Sequence, residues 1–186
     1  MTLEAYAKAR DAIRAEVMAH KKNRNAALGA HVTLIFEDEL TVRYQVQEML
    51  RAEKVFEEAG IQDELDAYNP LIPDGSNWKA TMMIEYEDVA ERRIMLSKLV
   101  GIENRVWVQV AGFERVYAIA DEDLERATEQ KTSAVHFLRF DLAAEMPRAL
   151  KQGAGLSMGV DHSAYQAVLD PVPAEMRSSL LRDLQA

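Results

Sequence analysis

The apolar positions along the chain change period several times, and each change marks an element. Leu3, Tyr6, Ile13 and Val17 recur at helical spacing, with Thr2 available as a cap, so the first helix is predicted over residues 3–24. Gly29 then breaks the pattern, and residues 31–36 read as a strand with Val32, Leu34 and Phe36 on one face. A second helix is predicted over 40–58, with Val42, Val46, Met49, Leu50 and Phe56 as its apolar stripe. Gly60 is placed as its stop, and residues 61–68 as a short added helix. The run Asn69-Pro70-Leu71-Ile72-Pro73-Asp74-Gly75-Ser76 is the clearest turn region, either an ordered loop or a lid over a pocket.

Alternation resumes over 78–86, where Trp78, Ala80, Met82, Ile84 and Tyr86 fall on one side. Residues 89–100 read as a helix ending at Gly101, and 105–110 with 114–119 as a hairpin around Ala111-Gly112. The acidic run 121–125 opens a polar loop or short helix. Strands are predicted over 134–140 and 156–160, and helices over 146–152, with Pro147 in its first turn, and 173–184. That makes about six strands and five helices, several strands being joined by connections too short for parallel crossovers. The expected fold is α+β: one domain over residues 1–186, a mainly antiparallel sheet of about six strands, and helices packed on one face.

Composition adds limits. Apolar residues make up 48% of the 186, enough for a real core, and no run is apolar enough to span a membrane. Without cysteine there is no disulfide, thiolate nucleophile or thiolate metal site. The net charge of −9 argues against nonspecific nucleic-acid binding. A cytoplasmic protein, bound to neither membrane nor nucleic acid, is the expectation. Charge is uneven: residues 1–24 hold six basic and three acidic side chains, and residues 37–66 three basic and ten acidic. These segments read as solvated faces, complementary within one chain or across a dimer. The cluster His20-Lys21-Lys22-Asn23-Arg24 is too short for a nucleic-acid footprint.

Four stretches together carry a resemblance: Tyr44-Gln45-Val46-Gln47-Glu48-Met49-Leu50-Arg51, Tyr68-Asn69-Pro70-Leu71-Ile72-Pro73, Ser133-Ala134-Val135-His136-Phe137-Leu138-Arg139-Phe140, and Val160-Asp161-His162 with Tyr165. Their order and spacing resemble an uncharacterised bacterial family, domain of unknown function 3501, over nearly the whole chain. The family has no established activity, and the resemblance leaves any cofactor unknown. Its genomic setting beside rubrerythrin-like and iron–sulfur oxidoreductase proteins implies a redox or oxidative-stress context, by association only. Where the family has Pro-Glu-Met after the third stretch, this chain has Glu145-Met146-Pro147.

Three constellations could carry chemistry. Tyr44, Gln47, Glu48 and Arg51 share a helix flank, where a carboxylate beside a guanidinium binds a polar ligand, sets an acid–base group or is an ordinary surface pair. His136 shares a strand face with Ala134, Leu138 and Phe140, as a satisfied core histidine or a group on a pocket floor; Arg139 points the other way with Val135 and Phe137. Asp161-His162, followed by Tyr165, makes a turn or supplies metal ligands. Glu48, His136, Asp161 and His162 are the metal candidates, although no HxH or HExxH spacing joins them. There is no phosphate loop and no GxSxG elbow. The leading expectation is an accessory or ligand-binding protein with a pocket lined by Gln47, Glu48, Arg51, His136 and Arg139. It would be a homodimer, with a rubrerythrin-like or iron–sulfur partner. The alternative is a small metal-dependent or acid–base enzyme using Glu48, His136 and His162.

Overall fold

The computed structural model describes residues 1–120 and 131–185, so the acidic run 121–125 lies outside the described residues. Helix α1 spans Leu3–Lys21, and the Thr2 hydroxyl caps it by accepting from the Ala5 N–H at 3.3 Å. It stops short of residue 24 because the chain turns extended into strand β1, Asn25–Leu28, which pairs with β2, Val32–Phe36. Helix α2, Glu39–Glu53, opens on a capping box between Asp38 and Thr41. Lys54 ends it in the left-handed region at φ 56°, earlier than the predicted stop at Gly60. Phe56, expected on the α2 stripe, is therefore thrown out to solvent at 70% exposure. Gly60 instead lies inside α3, Glu58–Tyr68, where a Cβ would come within 2.7 Å of Val55.

After a 3-10 turn over Asn69–Leu71, Asp74 orders the loop by accepting from Ser76 N–H, Ser76 Oγ and Asn77 Nδ2 at 2.7–2.9 Å. Strand β3, Asn77–Ile84, buries Trp78, Ala80, Met82 and Ile84 on one face, as alternation predicts. Helix α4 spans Val89–Lys98, and strand β4 spans Val106–Val110. The predicted hairpin partner of β4 is two short strands, β5, Val116–Tyr117, and β6, Ile119–Ala120. Then come β7, Val135–Asp141, α5, Glu145–Lys151, β8, Leu156–His162, β9, Tyr165–Leu169, and α6, Ala174–Leu181.

The described strands form two antiparallel sheets instead of one, ordered β1-β2-β3-β7-β6 and β5-β4-β8-β9. The chain crosses between them at Ala118, whose N–H donates to the Val106 carbonyl at 2.8 Å, so β5 pairs with β4 while β6 pairs with β7. One apolar cluster joins the sheets: Leu34, Phe36, Trp78, Met82 and Phe140 from the first meet Val106, Val108, Met158 and Val160 from the second. Leu150, Met176 and Leu180 bring α5 and α6 into the same cluster, and the Trp78 indole N–H donates to the Leu180 carbonyl at 3.0 Å. The fold is thus α+β and antiparallel. Its surplus strands are those of two to five residues, too short to announce a period.

Arg24 departs furthest from its expected place. It is fully buried, not part of a surface basic cluster. Its guanidinium donates to the Phe36 carbonyl at 2.8 Å, the Glu37 carbonyl at 3.0 Å and the Asp183 carboxylate at 2.5 Å, joining β2 to the end of α6. No helix among the described residues is long and apolar enough to cross a membrane.

Candidate functional site

The outward faces of β2, β3 and β7 are in register. Ile35 stands opposite Thr81 and Thr81 opposite Phe137; in the next row Thr33 faces Met83 and Met83 faces Val135. Strand alternation points these side chains away from the inter-sheet core. A cavity of about 310 Å³ lies over them, roofed by the helical side of the chain. Lys21 comes from the last turn of α1, Val42 and Gln45 from neighbouring turns of α2, Tyr68 from the end of α3 and Leu71 from the 3-10 turn. This size is at the lower end of small-molecule sites. The turn region that sequence reading took for a loop or lid does border a pocket.

Glu37 is the acid in this lining, with 9% of its surface exposed. It follows β2 in phase with Thr33 and Ile35, so it emerges on the cavity side. Its Oε1 accepts from the Thr81 hydroxyl at 2.7 Å and its Oε2 from the Thr41 hydroxyl at 2.6 Å. Its own N–H is used by the Lys79 carbonyl at 2.8 Å. The carboxylate is thereby held from both sides in an otherwise mainly apolar chamber.

The residues singled out from sequence do not line this cavity. Glu48 is taken by α1: Arg10 donates to it through Nε at 2.8 Å and Nη2 at 2.7 Å, and Tyr6 through its hydroxyl at 2.6 Å. The Arg10 hydrogen bond holds the Glu48 carboxyl down at about 2, while burial and the Glu48 bond push the Tyr6 phenol up. The expected Glu48–Arg51 pair is replaced by this cross-helix one, and Arg51 is exposed. Tyr44 is buried, and Gln47 donates to the Met1 carbonyl at 3.3 Å.

His136 is buried on the core side of β7, with Nε2 2.9 Å from Thr132 Oγ1, 3.0 Å from the Ser133 carbonyl and 4.0 Å from Glu103. Arg139, on the outer face, pairs with Asp141 at 3.0 Å. Asp161 holds Arg105 at 3.0 Å, Arg115 at 3.3 Å and the Tyr117 hydroxyl at 2.6 Å. His162 accepts the Ala164 N–H at Nδ1, which leaves Nε2 to donate to the Val100 carbonyl at 3.1 Å. Glu48, His136 and His162 therefore each serve a different set of neighbours. Among the described residues, no three His, Asp or Glu side chains stand together as a metal site, so the expected metal grouping does not assemble.

Sequence reasoning misses the cavity by one to three residues in two places. It weighed Gln47 and Glu48 where Gln45 faces the chamber, and His136 where Val135 and Phe137 do. The signal is in the sequence: alternation sets Val135 and Phe137 on the face opposite His136, and Glu37 continues the outward phase of β2.

The class defined here is an antiparallel two-sheet α+β domain with a ligand-sized chamber between one sheet and its covering helices. The family model described as "Protein of unknown function (DUF3501)" matches residues 1–184, and the chain belongs to that family. It is similar to a novel protein of unknown function from Burkholderia pseudomallei K96243, known from a crystal structure. The two share 57% identity and a TM-score of 0.91, over 100% of this chain and 96% of that one. No curated protein matches the chain.

Proposed function

We propose that this is a ligand-binding protein whose site is the chamber between β2, β3, β7 and α1–α3. One observation carries the reading: three of the four stretches behind the family resemblance converge on its wall. Gln45 comes from the first, Tyr68 and Leu71 from the second, and Val135 and Phe137 from the third. A core needs only apolar packing at such positions. Here they surround open volume beside a nearly buried carboxylate, an arrangement typical of small-molecule sites. The ligand is small, with an apolar body against Ile35, Met83, Val135 and Phe137.

The test is a titration with N-phenylnaphthylamine, a neutral dye that fluoresces when its surroundings become apolar. Saturable binding to the wild type, lost in Val135→Trp and in Gln45→Trp, is the expected result. Two variants on opposite walls guard against one misfolding. Unchanged dye binding in both folded variants would remove the chamber as the site.

The accessory role in a redox system rests on the resemblance alone and is proposed with it; a cytoplasmic location is proposed from the composition, which holds no cysteine. Co-purification of a rubrerythrin-like or iron–sulfur protein from cell extract tests the partner. The homodimer is proposed from the opposed charged segments. Light scattering should then give twice the chain mass of 21.0 kDa, and a 21.0 kDa species would refute it.

A further inference from the structure

Resting on the chamber as the ligand site, we propose that its occupant presents a pair of N–H donors to Glu37: an amidine, a guanidine, or the amino edge of a flat nitrogen heterocycle. Glu37 Oε1 and Oε2 each already accept one hydroxyl proton, from Thr81 and Thr41 respectively. A carboxylate offers about four lone-pair sites, so one on each oxygen is still open. Two open acceptor sites on one planar group match two parallel donors, the geometry that makes guanidinium–carboxylate pairs strong and specific.

The surroundings favour the same chemistry. Glu37 is 9% exposed and shares the chamber with Ile35, Val42, Met83, Val135 and Phe137. An acceptor in such a place gains most from a donor, above all a cationic one, and repels an anionic group. The Ile35–Thr81–Phe137 row gives the chamber a floor of in-register strand side chains, which suits a flat ring. Lys21 is the cation in the lining. It sits at the end of α1 and is half-buried, its ammonium on a flexible stem that can reach water. Glu37 is fixed by two hydroxyls and sets the polarity of the floor.

Benzamidine and benzoate test this directly, being flat, nearly isosteric and opposite in charge. By calorimetry, benzamidine should bind the wild type saturably, and benzoate about tenfold more weakly or worse, the scale of one lost charge-assisted hydrogen bond. Glu37→Gln should weaken benzamidine by about tenfold. Lys21→Ala should leave the benzamidine preference in place. Equal or tighter benzoate binding would overturn the inference, because Lys21 would then set the polarity. So would unchanged benzamidine affinity in a folded Glu37→Gln. If that variant does not fold, the wild-type preference still decides. Dye binding without benzamidine preference sinks this inference alone; no dye binding at all sinks the chamber reading beneath it.

Discussion

Arg24 shows how far a single side chain can depart from its sequence neighbourhood. It follows a run of polar and basic residues, and nothing in its local pattern separates it from Lys21 and Lys22. Its burial is decided by the carbonyls of Phe36 and Glu37 and by Asp183, more than 150 positions away along the chain. Burial pushes the Asp183 carboxyl up, with Arg24 pulling against it. Arg24→Met should destabilise the fold by about 3–5 kcal/mol, since it strands a buried carboxylate. The double variant Arg24→Met/Asp183→Leu should recover part of that loss. Urea denaturation of Arg24→Met, Asp183→Leu and the double variant measures the coupling, and additive effects would show that the pair is not the source. Glu48 gives a second prediction. Its carboxyl lies at about 2 when folded, below its ordinary value, so its stabilisation is present above about pH 4.5 and is lost as pH falls towards 2. The wild type should therefore have the higher urea midpoint than Glu48→Gln at pH 7, and the gap should close between pH 4.5 and 2. A gap constant with pH would mean that ionisation of Glu48 is not its source.

At the scale of elements, the long periodic segments were legible and the short ones were not. Strand β3 alternates cleanly from Trp78 to Ile84, and β7 and α1 are equally plain. Strand β1 has four residues and β9 five; β9 sets Tyr165, Ala167 and Leu169 against the core, but the exposed Val168 between them blurs its period. One side chain ties these two together through hydrogen bonds. Tyr165 on β9 donates its hydroxyl to the Leu28 carbonyl at 2.6 Å and accepts the His31 N–H at 3.1 Å, spanning the turn between β1 and β2. Gly29 sits in that turn at φ 74°, where a Cβ would come within 2.6 Å of the Tyr165 oxygen. Gly29→Ala should therefore cost about 1–3 kcal/mol through strain and collision. Tyr165→Phe should cost about 1–2 kcal/mol through the unsatisfied carbonyl. Because the phenol oxygen is the clashing atom, the double variant should be more stable than the sum of the two losses. Strict additivity would place the cost of Gly29→Ala in its φ alone.

For the whole molecule, the proposed ligand site lies in the layer between the first sheet and its helices. Sequence reading concentrated on charged and ionisable residues and found motifs whose neighbours, not themselves, face the chamber. Helix phase and strand phase were each readable; what was not readable is which helix flank meets which sheet face, because that depends on Lys54 breaking α2 and on Glu48 turning towards α1. A ligand held in that layer must stabilise the folded chain by mass action, since the unfolded chain has no chamber to offer. At a concentration about one hundred times Kd the gain is about 2.7 kcal/mol. For a chain of this length that raises Tm by about 5–10 °C. Benzamidine, or any better amidine, should produce this shift in the wild type and none in Val135→Trp, whose indole occupies the floor. Differential scanning calorimetry over a series of concentrations checks it. A shift that grows logarithmically with ligand in the wild type and is flat in the filled variant locates binding in the layer. Equal shifts in both would place the amidine elsewhere on the molecule.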